Sequence, residues 1–451
     1  MNIKELHQIF LSSAGVNTDT RTIGKNQLFF ALKGENFDGN AFALQALEAG
    51  ACYAVVNRTV EADDPRLIKV DDTLETLKAL AAYHRSQLDI PVIGLTGTNG
   101  KTTTKELISA VLAAKYKVVA TVGNLNNEIG VPLSVLKIGA DADIAVIEMG
   151  ASHPEDLKPL LAVAQPSHGL ITNVGKAHLE GFGSYEGVMH AKGLLYDYLK
   201  AQGGIAFANA EDPVLQGMLW DREMTCIAYG LDGVEVLPSS AENPFLRMKW
   251  ANGRILETHL VGAYNATNVL AALKIGWFFG VHEDAAIKAV ESYIPSNNRS
   301  QLVRTERNTL IVDAYNANPS SMAVALDNLA LCEGPRLALL GDMRELGADS
   351  AAEHKKIVAR LRSFVADAPQ DDKNSEHNNC HSERQNCHSE RSEESILVGP
   401  EFKKAAEGTG IPVFDTSDAL AEWLKENPVS GYTILVKGSR GIRMEKVLGS
   451  L

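Results

Sequence analysis

The sequence predicts an α/β protein of three domains, the central one built on a doubly wound, mostly parallel sheet. Three observations predict it. The length of 451 residues is about three times the ~150 of a typical domain. From Pro91 onward short apolar runs alternate with helical segments at the long spacing of βα units. A glycine-rich turn, Gly94-Leu-Thr-Gly-Thr-Asn-Gly-Lys-Thr-Thr-Thr-Lys-Glu106, joins one such strand to one such helix.

Residues 1–85 form the first domain, with short βα units around Leu28–Gly34 and around an alanine-rich helix, Phe42–Ala49, which Gly50 stops before the strand Cys52–Val56. The second domain, 86–295, has strands at Ile90–Leu95, Val118–Thr121, Ile144–Ile147, Leu170–Asn173 and Ile205–Ala208, and a closing helix from about Asn265 to Phe279. In the third, 296–451, the alternation restarts with strands at Leu310–Val312, Leu337–Leu340, Ile396–Val398, Val413–Phe414 and Ile434–Val436. No Gly-x-Gly-x-x-Gly follows any strand of this domain, which argues against a dinucleotide there. The polar stretch 369–395 interrupts it. Its Cys380-His and Cys387-His pairs could be read as a metal site, but they lack tight Cys-x-x-Cys spacing and an apolar surround, so a disordered insertion is expected.

Composition narrows the function. A hydrophobic content of 45% with 22% charged residues is that of an ordinary globular chain. The net charge of −13 leaves no basic excess for nucleic acid or a membrane surface. The first residues contain Glu5 and no continuous apolar core, so no secretory signal is expected, and no run approaches the ~18 apolar residues of a membrane span. Five cysteines, an odd number, fit reduced thiols in a cytoplasmic protein.

The turn carries the chemistry. Gly97, Thr98, Asn99 and Gly100 would let backbone N–H groups close on phosphate oxygens, aided by the dipole of the helix that follows. Lys101 would reach the β- and γ-phosphates, the Thr102 hydroxyl would meet Mg²⁺, and Thr103 would extend the cradle. The general phosphate-loop pattern has a glycine where this chain has Leu95, so the loop is a shortened form. The helix after it presents Leu107, Ile108, Val111 and Leu112 on one face. ATP with Mg²⁺ is the expected pair.

Four further groups follow strands. Glu148 ends an apolar strand at the sheet edge where α/β proteins bind ligands, a place for a metal-directed carboxylate. His178 lies in Thr172-Asn-Val-Gly-Lys-Ala-His, and Lys192 in Met189-His-Ala-Lys; by residue type alone each reads as an ordinary structural or solvated side chain. Asn124, Asn126 and Asn127 stand between Gly123 and Gly130, where they could bind a polar ligand or cap turns.

These groups in this order resemble the Mur ligases, the ATP-dependent amide-forming family of peptidoglycan assembly. The resemblance rests on the motifs at 96–103, 123–130, 148–151, 177–183, 191–192, 262–268, 313–319, 341–347 and 436–440, and covers nearly the whole chain outside 369–395. Asp19-Thr-Arg21, Leu32-Lys-Gly34 and Asp38-Gly39 also fit, with Thr20 in place of the usual Ser and Asn40 in place of a frequent His. The pattern is most similar to members that add D-alanyl-D-alanine to a UDP-muramoyl-tripeptide. Another amide ligase of the same superfamily, of Mur or folylpolyglutamate type, is the alternative within this resemblance. A small-metabolite kinase needs no third α/β domain with its own Lys-Gly-Ser-Arg440, and a nucleotide-binding scaffold would not need Glu148, His178 and Lys192 as well as the loop.

The resemblance implies a Rossmann-like C-terminal domain and a reaction through an acyl phosphate. It implies that Glu148, His178 and a carbamylated Lys192 hold a second Mg²⁺, and that Asn265 and Asn268 face the adenine. Arg299, Asp313 and Lys437 would close over the nucleotide. Thr20, Arg21 and Lys33 would meet the UDP moiety, Asn124 and Asn127 the acceptor, and Asn316 and Ser439 the incoming dipeptide. The implied partners are these small molecules, with no nucleic acid or membrane, and the implied state is a cytoplasmic monomer.

Overall fold

The computed structural model describes every residue except 35–36, 59–62, 240–243, 296–298, 300 and 367–392. The chain divides into two compact units: 1–174 with 185–231 and 267–290, and 175–184 with 232–266 and 291–451.

The first unit contains two parallel sheets. The smaller runs Val16–Asn17, Leu28–Phe30, Tyr53–Val56, Leu67–Lys69 in that spatial order. Leu28, Phe29 and Phe30 are all buried, which is why this strand shows no alternation. A helix at Ile3–Ser12 was not expected from the sequence. It is started by an Asn2–Glu5 capping box, and its buried face is Leu6, His7 and Phe10. A histidine in the middle of that face hides the apolar period. His7 Nε2 lies 3.0 Å from His84 Nδ1, and His84 Nε2 lies 2.9 Å from the Ile138 carbonyl oxygen.

The larger sheet has six parallel strands in the order Cys226–Tyr229, Ile205–Asn209, His168–Ile171, Val92–Thr96, Ile144–Glu148, Val118–Ala120. After Val92–Thr96 the chain passes to the edge strand Val118–Ala120, returns to Ile144–Glu148 beside Val92–Thr96, and then crosses to the other side. Val92–Thr96 therefore sits where the winding reverses, the position at which open α/β sheets form a ligand crevice beyond their strand ends. Leu107, Ile108, Val111 and Leu112 are fully buried, as their spacing predicts.

The second unit has an antiparallel sheet of Val234–Leu237, Phe245–Trp250 and Ile255–Val261. Its six-stranded sheet is ordered Gln301–Arg304, Thr309–Asp313, Thr433–Lys437, Arg336–Gly341, Glu393–Val398, Val413–Phe414, with only the first strand antiparallel. The late strand Thr433–Lys437 inserts between two early ones, creating a second reversal point. The expected insertion lies outside the described residues as far as 392; its last three residues, Glu393 to Ser395, already belong to a strand.

Candidate active site

The loop after Val92–Thr96 is fixed from the neighbouring strand. Thr98 N–H donates to the Asn173 carbonyl (3.0 Å), and Asn99 N–H to Asn173 Oδ1 (3.0 Å). Asn173 Nδ2 and Thr172 Oγ1 donate back to the Asn99 carbonyl at 3.0 and 2.6 Å. Gly97 has φ +144°, and a Cβ there would stand 2.0 Å from Thr172 Oγ1. Gly100 has φ +78°, and a Cβ would fall 2.8 Å from Asn268 Oδ1. Both positions need a left-handed backbone and a bare Cα. Asn268 also accepts from the buried Thr104 hydroxyl (3.0 Å), so it braces the loop helix. Lys101 Nζ donates to the loop's own carbonyls, Gly97 at 2.7 Å and Thr98 at 3.0 Å. Asn173 was not singled out in the sequence, although it sits two residues beyond its strand.

Glu148 is register partner to Leu95, one strand from the loop. It is 1% exposed; Asn126 Nδ2 donates to its Oε1 (2.7 Å), while its Oε2 has no hydrogen-bond partner. The Thr102 hydroxyl oxygen is also buried without a partner. Two orphaned hard oxygen donors at the ends of adjacent structural elements suit Mg²⁺, which needs only one or two protein oxygens beside phosphate and water. Among the described residues no group of three or more His, Cys, Asp or Glu forms a preassembled metal cage. Asn126, a residue the sequence left indistinct from its neighbours, thus orients the carboxylate. Asn127 instead caps a turn, accepting from Gly130 N–H at 2.9 Å, and Asn124 is exposed. Lys105, fully buried, donates to the Thr121 carbonyl, and Thr121 Oγ1 accepts from Glu148 N–H (3.0 Å), tying the asparagine segment to the strand.

Lys192, on the helix Tyr185–Gln202, is 2% exposed and donates to the Ala151 carbonyl at 3.2 Å. Burial first, then the positive charge of Lys101, pushes its ammonium well below the ordinary 10.5, with Asp156 opposing. The solvated-lysine alternative is excluded by that burial. Both causes disfavour the ammonium relative to a free lysine, and it is the neutral amine that can add to CO₂.

In the second unit His178 and Glu345 are both non-glycine residues with positive φ, 51° and 64°. His178 Nδ1 lies 2.5 Å from Glu345 Oε2, and this hydrogen bond holds the Glu345 carboxyl below the usual range. Backbone strain at two facing residues that share a polar contact is a mark of a functional constraint. Sequence analysis missed Glu345. Asp313 and Lys437, register partners at the ends of adjacent strands, form a nearly buried ion pair, and Lys437 also reaches the Asn316 carbonyl at 3.3 Å. Ser439 knits three loops: its hydroxyl donates to the Ala317 carbonyl (3.3 Å) and accepts from Arg344 N–H (2.9 Å), and its N–H donates to the Asp342 carbonyl (3.1 Å). The Arg299 guanidinium lies 3.7 Å from the Tyr315 ring centroid, with its Nε buried and unpartnered. Asn265 is 1% exposed and donates to the Val261 carbonyl at 2.9 Å.

At the small N-terminal sheet Arg21 pairs with Asp19 at 2.6 Å in solvent, and Thr20 and Lys33 stand beside this segment and the Asp38 turn. Asn40 is 3% exposed and donates to Asp38 (2.7 Å) and Asn57 (2.8 Å), a staple between the turn and the Tyr53–Val56 strand end.

Three family models match consecutive parts of the chain: "Mur ligase family, catalytic domain" over 13–85, "Mur ligase middle domain" over 95–276 and "Mur ligase, glutamate ligase domain" over 298–440. The chain is 33% identical to a UDP-N-acetylmuramoyl-tripeptide--D-alanyl-D-alanine ligase of Bacillus subtilis, over 97% of this chain and 93% of that protein. It is 32% identical to the protein of the same name in Escherichia coli, over 99% and 95%. Among solved structures it is similar to MurF from Acinetobacter baumannii (TM-score 0.82, 28% identity, 100% and 98% covered). It is also similar to the MurF ligase of Thermotoga maritima in complex with ADP (TM-score 0.81, 25% identity, 98% and 97% covered).

Proposed function

Because the chain belongs to the Mur ligase family, we propose that it joins D-alanyl-D-alanine to UDP-N-acetylmuramoyl-tripeptide at the expense of ATP. The tripeptide carboxylate attacks the γ-phosphorus and ADP leaves. The dipeptide amine then adds to the acyl carbon, and phosphate and a proton depart, giving the UDP-muramoyl-pentapeptide. Chemistry of this type depends on positioning and charge neutralisation more than on a protein nucleophile.

In this reading Lys101 leaves the loop carbonyls for the phosphates, Thr102 and Glu148 would hold Mg²⁺, and Asn126 fixes the Glu148 carboxyl through its Oε1. Mg²⁺ supplies positive charge to the transferring phosphate and the attacking carboxylate. A neutral Lys192 amine would add to CO₂ and release a proton, leaving a carbamate that would offer Mg²⁺ further oxygen donors; His178 is proposed as a metal ligand as well. Asn265 and Asn268 lie by the adenine, while Arg299, Asp313 and Lys437 come from the C-terminal domain of a three-domain cytoplasmic monomer divided as 1–85, 86–295 and 296–451. Thr20, Arg21 and Lys33 meet the UDP moiety, and Asn316, whose Oδ1 accepts from Ala317 N–H at 2.9 Å, offers the dipeptide its Nδ2.

The observation that carries the reading is the pair of buried, unpartnered oxygens on Thr102 and Glu148 beside a phosphate loop. The test is product analysis with UDP-muramoyl-tripeptide, D-alanyl-D-alanine and ATP. ADP and phosphate should form only when both organic substrates are present; ATP cleavage that ignores the dipeptide would refute it.

A further inference from the structure

The second reversal point, in the six-stranded sheet of the second unit, gathers the loops that follow three adjacent strands: Thr309–Asp313, Thr433–Lys437 and Arg336–Gly341. Each loop brings side chains to the same strand ends. The first supplies Tyr315 and Asn316, the second Ser439 and Arg440, the third Arg344. Ser439 bonds the loops into one frame through Ala317, Arg344 and Asp342. Arg440 Nη1 contacts the Tyr315 hydroxyl at 3.4 Å, and its guanidinium carbon is 5.4 Å from the ring centroid. The Arg344 guanidinium packs on Gly441, the residue after Arg440: a Cβ on that glycine would meet Arg344 Nη1 at 2.6 Å.

Among the described residues, neither Arg344 nor Arg440 has a carboxylate within 4.0 Å, whereas Lys437 in the same crevice is neutralised by Asp313. Two exposed guanidinium groups, one packed on Gly441 and the other carried by the residue before it, stand against the net charge of −13 of the chain. Their planar forks match a carboxylate, which they can bind through paired N–H donors. On the proposed reading, the incoming dipeptide has one group that takes no part in bond formation and carries a full charge, its C-terminal carboxylate. Arg299 lies nearby but is stacked on Tyr315.

We infer that Arg440 and Arg344 form the subsite for the C-terminal carboxylate of the amine substrate, with Tyr315 aligning Arg440. This rests on the proposed ligase reaction and adds the determinant of its preference for a free-acid dipeptide. The subsite recognises the far end of the dipeptide, so it acts on binding of that substrate and not on ATP.

The experiment compares D-alanyl-D-alanine with its C-terminal amide, in which the charge is removed and the shape kept, using wild type, Arg440→Gln, Arg344→Gln and Arg440→Lys. Wild type should prefer the acid by roughly 100-fold in kcat/KM. Each Gln variant should lose about 10-fold or more on the acid, chiefly through KM, while its rate on the amide and its KM for ATP stay within about 2-fold. The acid–amide preference should collapse, and Arg440→Lys should recover part of it, since charge returns without the fork. Retention of the full preference in both Gln variants overturns the subsite. A raised KM for ATP also overturns it and assigns the guanidinium groups to phosphate. A wild type inactive on the dipeptide acid, yet active on another amine, rejects D-alanyl-D-alanine as the amine substrate, and the subsite with it.

Discussion

A lysine that is 2% exposed must lose its charge, gain a partner or be chemically changed. Lys192 donates to the Ala151 carbonyl at 3.2 Å and has a like charge, Lys101, as the second cause of its depressed basicity. Lys192→Ala should therefore lose most activity, and formate or acetate should restore part of it by placing a carboxylate where the carbamate stood. Wild-type kcat in the variant, or no response to added acid in an inactive one, would remove the carbamate role. Lys101→Ala should cut kcat by more than about 10-fold, a loss above ~1.4 kcal/mol in transition-state stabilisation. Circular dichroism should match wild type, because the side chain is half-buried and its bonds to the Gly97 and Thr98 carbonyls lie within the loop. Lys192 could be named from its motif but not assigned its role from residue type, since nothing in the local pattern around Met189-His-Ala-Lys states that this face is buried. Asn126, Asn173 and Glu345 were harder still. Each acts by orienting a partner from a different strand or loop, and that pairing is a product of the fold.

The loop and its neighbouring strand form one element in practice. Thr172 and Asn173 make four bonds to the loop residues Thr98 and Asn99, and the bare Cα of Gly97 is what lets the two approach. Gly97→Ala should thus cost more than the ~1 kcal/mol typical of a strained left-handed alanine, because the added methyl also meets Thr172 Oγ1 at 2.0 Å. The midpoint of denaturant unfolding should fall, and ADP affinity with it. Pairing Gly97→Ala with Thr172→Ser, which keeps the offending oxygen, should give no relief, whereas Thr172→Ala should recover part of the loss. The parallel strands were legible because strands buried on both faces read as short apolar runs. The antiparallel sheet was not. In Ile255–Val261 the inward residues are Leu256, Thr258 and Leu260, so a buried threonine breaks the alternation just where it would be counted. That threonine spends its hydroxyl on the Leu246 carbonyl at 2.9 Å, a partner invisible before the strands are paired.

At the scale of the molecule, alternation and loop position were enough to give an α/β architecture with a crevice at the reversal of the central sheet, because those properties follow from chain order. What chain order does not carry is the burial of single ionisable groups, and that burial sets how stability responds to pH. His168, at the start of a central strand, packs its ring among Phe207, Phe278 and Phe279 and lies 2.9 Å from Ser167 Oγ. Burial lowers its imidazole from the ordinary 6.5 to about 4. A folded value below the unfolded one means that between pH 6.5 and 4 the unfolded chain holds the extra proton, so stability falls as pH falls through that window and levels off below it. Replacing the ring with the neutral amide in His168→Gln should flatten the curve of unfolding free energy against pH there by up to one proton, about 1.4 kcal/mol per pH unit at most. His7 and His84, also lowered by burial, titrate in both proteins and cancel in the comparison. Urea unfolding of the two proteins at half-unit steps from pH 7 to 4 measures the difference directly. Parallel curves would show that His168 gains its proton in the folded state as readily as in the unfolded chain, and that its aromatic surround stays accessible to water.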